Sequence, residues 1–308
     1  PGNEIGDARR IDYCRPNLLR TIKEYNPETI LLFGGPAVRS LIGELWREKP
    51  GPVSRWVGFN IPDQKLNAWI CPTFHPSYLE RMADPVLDLY FRQHLRTALA
   101  HSERPWNPVP NWESLIEVIL DVQVAADILD EWEREGGDFA VDYEGNTLKP
   151  ETPGGKIICC SVCRDGGRTI SYPWHGAAIA ATGRLLHSDR CHFVAANLKH
   201  EERWTKKLFG RGVRHWLWDT MVGAHVIDNR EGGICSLKFQ AYVELGVTAW
   251  DDHIRRFMKP IGDGKLNQLI GGVDLRQLLK YCGIDTLLEF VLYKRQSRRL
   301  LKRNENYS

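Results

Sequence analysis

Residues 139–144 read Phe139-Ala140-Val141-Asp142-Tyr143-Glu144. Strict alternation over a run rich in aromatic and aliphatic side chains predicts a strand, with Phe139, Val141 and Tyr143 on one face and Ala140, Asp142 and Glu144 on the other. Two carboxylates thus point the same way beside an apolar layer. Like charges so placed repel and lose hydration, and a bound divalent cation is one way to offset both costs. A solvated edge face is the ordinary alternative for a D-x-E run, because surface charge is common.

Working outward, residues 156–163 and 168–172 read as two further strands. The loop after Glu144 holds Gly145, Pro150, Pro153, Gly154 and Gly155, so the three strands are expected to form a meander. A helix follows near 176–186, then a strand at 192–196, a helix at 198–209 and mostly helices to the end. Residues 112–135 read as helical throughout. The first hundred residues alternate between β and α: a helix at 15–25, a strand at 29–33, a turn at Gly34-Gly35-Pro36, a helix at 37–46, a strand at 67–74 and a helix at 85–100. Residues 104–110 carry Pro105, Pro108 and Pro110 and read as a linker.

The chain has 308 residues, which at roughly 150 per domain predicts about two domains. Charged residues make up 26% and hydrophobic ones 43%, a globular composition that excludes a disordered chain. The formal charge of +2 is too small to indicate a nucleic-acid partner, so one must be argued from local chemistry. Lys294, Arg295, Arg298, Arg299, Lys302 and Arg303 form one basic cluster, which either tracks a nucleic acid or is a solvated helix end. Apolar runs such as 30–33 and 157–160 fall far below the ~20 residues of a membrane span, so no membrane partner is expected. The start Pro1-Gly2-Asn3 has neither Met nor a signal-like segment and points to a cytoplasmic protein or a piece of a longer chain. Eight irregularly spaced cysteines read as reduced thiols. Cys160 and Cys163 are formally C-x-x-C, but residues three apart on a strand face opposite sides, which favours core packing over zinc.

A further acid lies in residues 278–292, where helical spacing puts Leu278, Tyr281, Asp285, Leu288 and Leu292 on one stripe. A carboxylate on an apolar stripe needs a cation, a donor or water, and Tyr281 one turn earlier can reach the same place. A plain Tyr-Asp pair in a helix interface is the alternative. Residues 193–201 run from strand to helix through Asn197, which reads as an N-cap, and place Glu201 in the first helical turn. There an acid also stabilises the helix dipole without any chemistry.

The order D-x-E, N-x-x-x-E, Y-x-x-x-D resembles the 3′-5′ proofreading exonuclease domain of family A DNA polymerases, over about residues 106–300. Residues 148–150, Trp218-Asp219-Thr220-Met221 and 281–285 add to the likeness. The resemblance implies a ribonuclease H-like fold and two-metal hydrolysis of a single-stranded or frayed DNA 3′ end, with Mg²⁺ or Mn²⁺ as the two ions and a polymerase domain as partner in the full-length protein. It assigns Asp142, Glu144, Glu201 and Asp285 to metal binding, Tyr281 to orienting the attacking water, and Asn197 to nucleic-acid contact. The family usually has Asp where Glu201 stands, and Thr where Gly145 stands. Two alternatives share this fold: a non-catalytic DNA-binding fragment and an exoribonuclease.

Residues 14–19, 27–37 and 72–79 resemble the C-terminal half of a family 4 uracil-DNA glycosylase. This likeness implies nucleic-acid contacts at His75 and Ser77, the former in the position that meets a flipped-out uracil. The water-activating motif has no counterpart here, and of the four iron-sulfur cysteines only Cys14 has one, so no cluster is expected. The expected architecture is therefore α/β: a truncated glycosylase-like domain over 1–103, a linker over 104–111, an exonuclease domain over 112–300 and a basic tail over 301–308.

Overall fold

The structure is a computed structural model that describes residues 8–47, 49–165, 167–230, 233–260 and 266–305. The opening Pro1-Gly2-Asn3 and the last three residues of the basic tail lie outside them. The chain divides into two compact units, one of residues 1–110, 230–234 and 238–249, the other of 111–229, 235–237 and 250–308.

In the first unit the order is α1 (Ala8–Tyr25), β1 (Thr29–Phe33), α2 (Gly34–Leu45), β2 (Ile61–Asp63), β3 (Ala68–Thr73), α3 (Pro76–Met82) and α4 (Pro85–Leu99). The sheet order is β1-β3-β2, with β1 parallel and β2 antiparallel to β3. The expected turn at Gly34-Gly35-Pro36 is instead the first turn of α2. Gly34 takes φ +81° there, and a Cβ at that position would stand 3.0 Å from His75 Cβ, so the close approach requires glycine. The proline-rich stretch is bound, not free: Arg104 donates to the carbonyls of Asn67 at 2.9 Å and Asn26 at 2.8 Å, and Trp106 Nε1 to that of Pro62.

Most of a later helix, numbered α9 in chain order (Leu237–Leu245), also belongs to this unit. Tyr242 stacks on Trp46 at 5.7 Å, and Phe239 packs against Trp56 at 5.0 Å. Burying these aromatic rings against Trp46 and Trp56 adds core to residues 1–110.

The second unit runs β4 (Ile116–Val118), α5 (Val122–Glu135), β5 (Gly137–Gly145), β6 (Ile157–Arg164), β7 (Thr169–Pro173), α6 (Ala177–Leu186), β8 (Cys191–Ala195), α7 (Lys199–Phe209), β9 (Trp216–Asp219), α8 (Thr220–Ile227), a single turn α10 (Leu269–Gly272) and the long α11 (Leu275–Glu305). Its sheet order is β4-β7-β6-β5-β8-β9. The meander β5-β6-β7 is antiparallel as expected, and β8 and β9 add in parallel beside β5. Three antiparallel strands followed outward by two parallel ones form the ribonuclease H-like arrangement, with β5 in the interior.

Two expectations are corrected. Residues 112–135 are not one helix: a short turn is followed by edge strand β4, and Asp121 then caps α5 through the N–H groups of Gln123 and Val124. Strand β4 exists because β7 pairs with it, and Glu117 meets Arg168, the residue before β7, at 2.8 Å. Strand β9 likewise lies in a stretch that reads as mostly helical.

The alternation on β5 sorts the core. Phe139, Val141 and Tyr143 pack with Cys160, Val162, Tyr172 and Phe193 beneath α5 and α6, with Leu129, Trp132, Ala181 and Leu185. On the other face Ala140, Cys163 and Val194 meet Leu287 and Phe290 of α11. Cys160 and Cys163 thus enter opposite cores, as strand geometry requires, and all eight cysteines are free thiols.

Candidate active site

Asp142 and Glu144 stand on the α11 face of β5, opposite Ser161 and Cys159 of β6. They do not form a solvated edge: β5 has a neighbour on each side, and Glu144 is 8% exposed. The stripe read over residues 278–292 is real, since Leu278, Tyr281, Asp285, Leu288 and Leu292 are all buried. It carries Asp285 onto the same spot. One carboxylate oxygen each of Asp142, Glu144 and Asp285 lies within 4.8 Å of the other two. Among the described residues no other group of three acids, histidines or cysteines is gathered this tightly.

The neighbours orient these acids. Trp250 Nε1 donates to Asp285 Oδ1, and the Cys282 thiol lies 3.5 Å from Asp142 Oδ2. Tyr281 is hydrogen-bonded to Asp285, and burial, followed by the charges of Asp285, Glu144 and Asp142, pushes its phenol well above the usual range. It therefore stays protonated at neutral pH and can donate.

Glu201 is buried in the first turn of α7 but does not join the group of three. Burial, and then the Asp142 carboxylate, push its acid well above the usual range, and Glu201 Oε2 has no hydrogen-bond partner among the described residues. Asn197 is not the N-cap: Leu198 holds that position without a side-chain cap, and Asn197 takes φ 66°. The reason is tertiary. Asp219, at the end of β9, accepts from the N–H groups of Asn197 at 3.2 Å and Leu198 at 3.1 Å, and caps α8 through Met221 at 2.9 Å.

Glu289, missed in the sequence, is 2% exposed, and its acid is pushed well above the usual range by burial and by Asp142, Glu201 and Asp285. The signal was available: position 289 is one helical turn after Asp285 on the same stripe. Of the first-unit residues, His75 is exposed and caps α3, its Nδ1 accepting from Ser77 N at 3.2 Å and pairing with Ser77 Oγ at 2.7 Å. His75 and Ser77 thus satisfy each other locally. Cys14 is exposed.

An all-oxygen donor set with two further buried carboxylates beside it, each holding an oxygen that has no hydrogen-bond partner among the described residues, fits a hard divalent cation. Without a counterion, so much negative charge at low exposure would be costly.

The Uracil DNA glycosylase superfamily model matches residues 3–99. No match was found among curated protein sequences. Solved structures that resemble the chain include Brucella melitensis NrnC with bound Mg²⁺, 13% identical, with 61% of this chain and 81% of that one covered and a TM-score of 0.42. Escherichia coli RNase D, an exoribonuclease involved in structured RNA processing, is 14% identical over 59% of this chain and 44% of that one, with a TM-score of 0.43. Trypanosoma brucei RNase D is 14% identical over 58% of this chain and 63% of that one, with a TM-score of 0.45. Among the described residues no helix is long and apolar enough to cross a membrane.

Proposed function

We propose that the second unit is a Mg²⁺-dependent 3′-5′ exonuclease that hydrolyses nucleotides from DNA 3′ ends, working as the proofreading part of a larger DNA polymerase. The observation that carries this reading is the convergence of Asp142, Glu144 and Asp285, drawn from a central strand and a distant helix, with the Tyr281 hydroxyl bonded to the last of them. The 3′-5′ direction and the proofreading setting rest on the order of the three motifs. DNA as substrate rests on the glycosylase-superfamily segment in the same chain.

The reaction adds water across a phosphodiester: the water oxygen bonds to phosphorus, the bond to the 3′ oxygen breaks, and that oxygen takes up a proton. Asp142, Glu144 and Asp285 would hold the cation, with Glu201 at the edge of the site as a further acid. Bound divalent ions supply water activation and neutralise charge on the leaving oxygen. Tyr281, protonated and fixed by Asp285, holds the attacking water in line. Trp250 and Cys282 restrict the rotamers of Asp285 and Asp142, so these acids are arranged before substrate arrives. A frayed terminus reaches acids this buried more readily than a paired one.

The test is release of mononucleotides from a 3′-labelled single-stranded DNA with Mg²⁺ and with EDTA, alongside an RNA of the same sequence. Mg²⁺-dependent release from DNA is expected. Faster release from RNA would make the protein an exoribonuclease of this fold, and no release from either would leave a non-catalytic binding fragment.

A further inference from the structure

Strand β8 ends at Ala195 and α7 begins at Lys199, so the N–H groups of Ala196, Asn197 and Leu198 fall where neither element supplies an acceptor. All three are nevertheless bonded to carboxylates. Glu289 Oε1 accepts from Ala196 at 3.1 Å, and the two oxygens of Asp219 accept from Asn197 and Leu198. Two acids are therefore committed to a turn of three residues whose middle one, Asn197, holds a left-handed backbone that non-glycine residues seldom adopt. Asp219 is local to this end of the sheet. Glu289 is not: it comes from α11, one turn beyond Asp285 and two beyond Tyr281.

We infer that Glu289 is a positioning residue of the site, tying the helix that carries Tyr281 and Asp285 to the turn that carries Asn197 and leads into Glu201. This inference rests on the nuclease reading above. Glu289 touches neither water nor substrate in this role; it acts through the Ala196 amide. The position is electrostatically costly, and the bond to the Ala196 amide offsets part of that cost. A buried carboxylate close to Asp142, Glu201 and Asp285 is repelled by all three, and its Oε2 has no hydrogen-bond partner among the described residues. Loss of the tie frees the Asn197 turn relative to Asp285, so nucleotide grip should weaken while the acids that hold the cation stay in place.

Glu289→Gln keeps an oxygen that can accept from Ala196, and Glu289→Leu removes it at similar volume. Single-turnover and steady-state hydrolysis of a 3′-labelled oligonucleotide should show KM raised about tenfold in Glu289→Leu, the size of one lost buried hydrogen bond, with kcat changed less. Glu289→Gln should restore KM to near the wild-type value. Hydrogen exchange at the Ala196 amide should accelerate in Glu289→Leu and not in Glu289→Gln. If Glu289→Leu does not fold, Glu289→Met takes its place in both measurements. A Gln variant as impaired as Leu, or a Leu variant with normal KM or normal exchange, overturns the inference. Wild-type protein that releases no nucleotide overturns the nuclease reading instead, and the exchange measurement still decides the tie.

Discussion

The thiol of Cys282 lies 3.5 Å from Asp142 Oδ2, so the helix that carries the third-motif acid also supplies a donor to the first. Burial pushes that thiol well above its usual range, which keeps it protonated and able to donate. The contact joins α11 to β5 at the place where the three acids meet. Their spacing is thus set by how a helix packs on a sheet, and removing any one of them should leave the packing intact.

Asp142→Ala and Asp285→Ala are expected to lower nucleotide release by about a thousandfold or more, because each removes a proposed cation ligand, and such a ligand accounts for several kcal/mol of transition-state stabilisation. Circular dichroism should be unchanged, since the loss of one charge relieves repulsion. Turnover equal to wild type in either variant would remove the metal assignment.

Tyr281→Phe keeps the ring that is buried on the α11 stripe and deletes only the hydroxyl. The rate should fall by about ten- to a hundredfold, less than in Asp285→Ala, because in the proposed mechanism the phenol orients water and does not hold the cation. Mn²⁺ affinity should be retained. Single-turnover hydrolysis at saturating metal decides the matter, and an unchanged rate would leave a packed Tyr-Asp pair with no part in the chemistry.

Adding Mg²⁺ should stabilise the folded protein, by about 2.7 kcal/mol at a hundred times its Kd, because the proposed site consists of carboxylates gathered only in the native state. A thermal melt with Mg²⁺ and with EDTA reads this directly. Glu201→Gln should melt higher than wild type in EDTA, since it removes a buried acid beside Asp142, and should gain less from Mg²⁺. An EDTA melting point below that of wild type would contradict the idea that Glu201 awaits a cation.

Asp63 lies buried in the first unit, where burial pushes its carboxyl up to about 6. A folded value above the unfolded one means that the native state binds the proton more tightly. The favourable contribution is complete below about pH 4 and is lost as pH rises through about 6. Asp63→Asn keeps an acceptor for Leu66 N–H, 2.8 Å away, and should stabilise the first unit by about 2–3 kcal/mol at neutral pH while changing little near pH 4. Urea unfolding at the two pH values tests it, and an equal effect at both would show that the charge of Asp63 is not the cause.

Local periodicity determined a good deal. The alternation of 139–144 sorted that strand's two faces, and the four-residue spacing from Tyr281 to Asp285 put both groups on one buried stripe, because each pattern depends only on backbone geometry within a single element. Of the four acids that the order of the three motifs named, the fold gathers Asp142, Glu144 and Asp285, and Glu201 stays outside that group. Tertiary structure decided the rest. Edge strand β4 forms only because β7 lies alongside it, and the backbone of Asn197 is set by a carboxylate 22 positions away in the chain. Glu289 gains its meaning from an amide 93 positions earlier. Helix α9 joins the first unit because Trp46 and Trp56 offer its aromatic rings a surface. A carboxylate's partner, an edge strand's neighbour and an aromatic ring's packing surface are non-local contacts, and one-dimensional spacing carries no record of them.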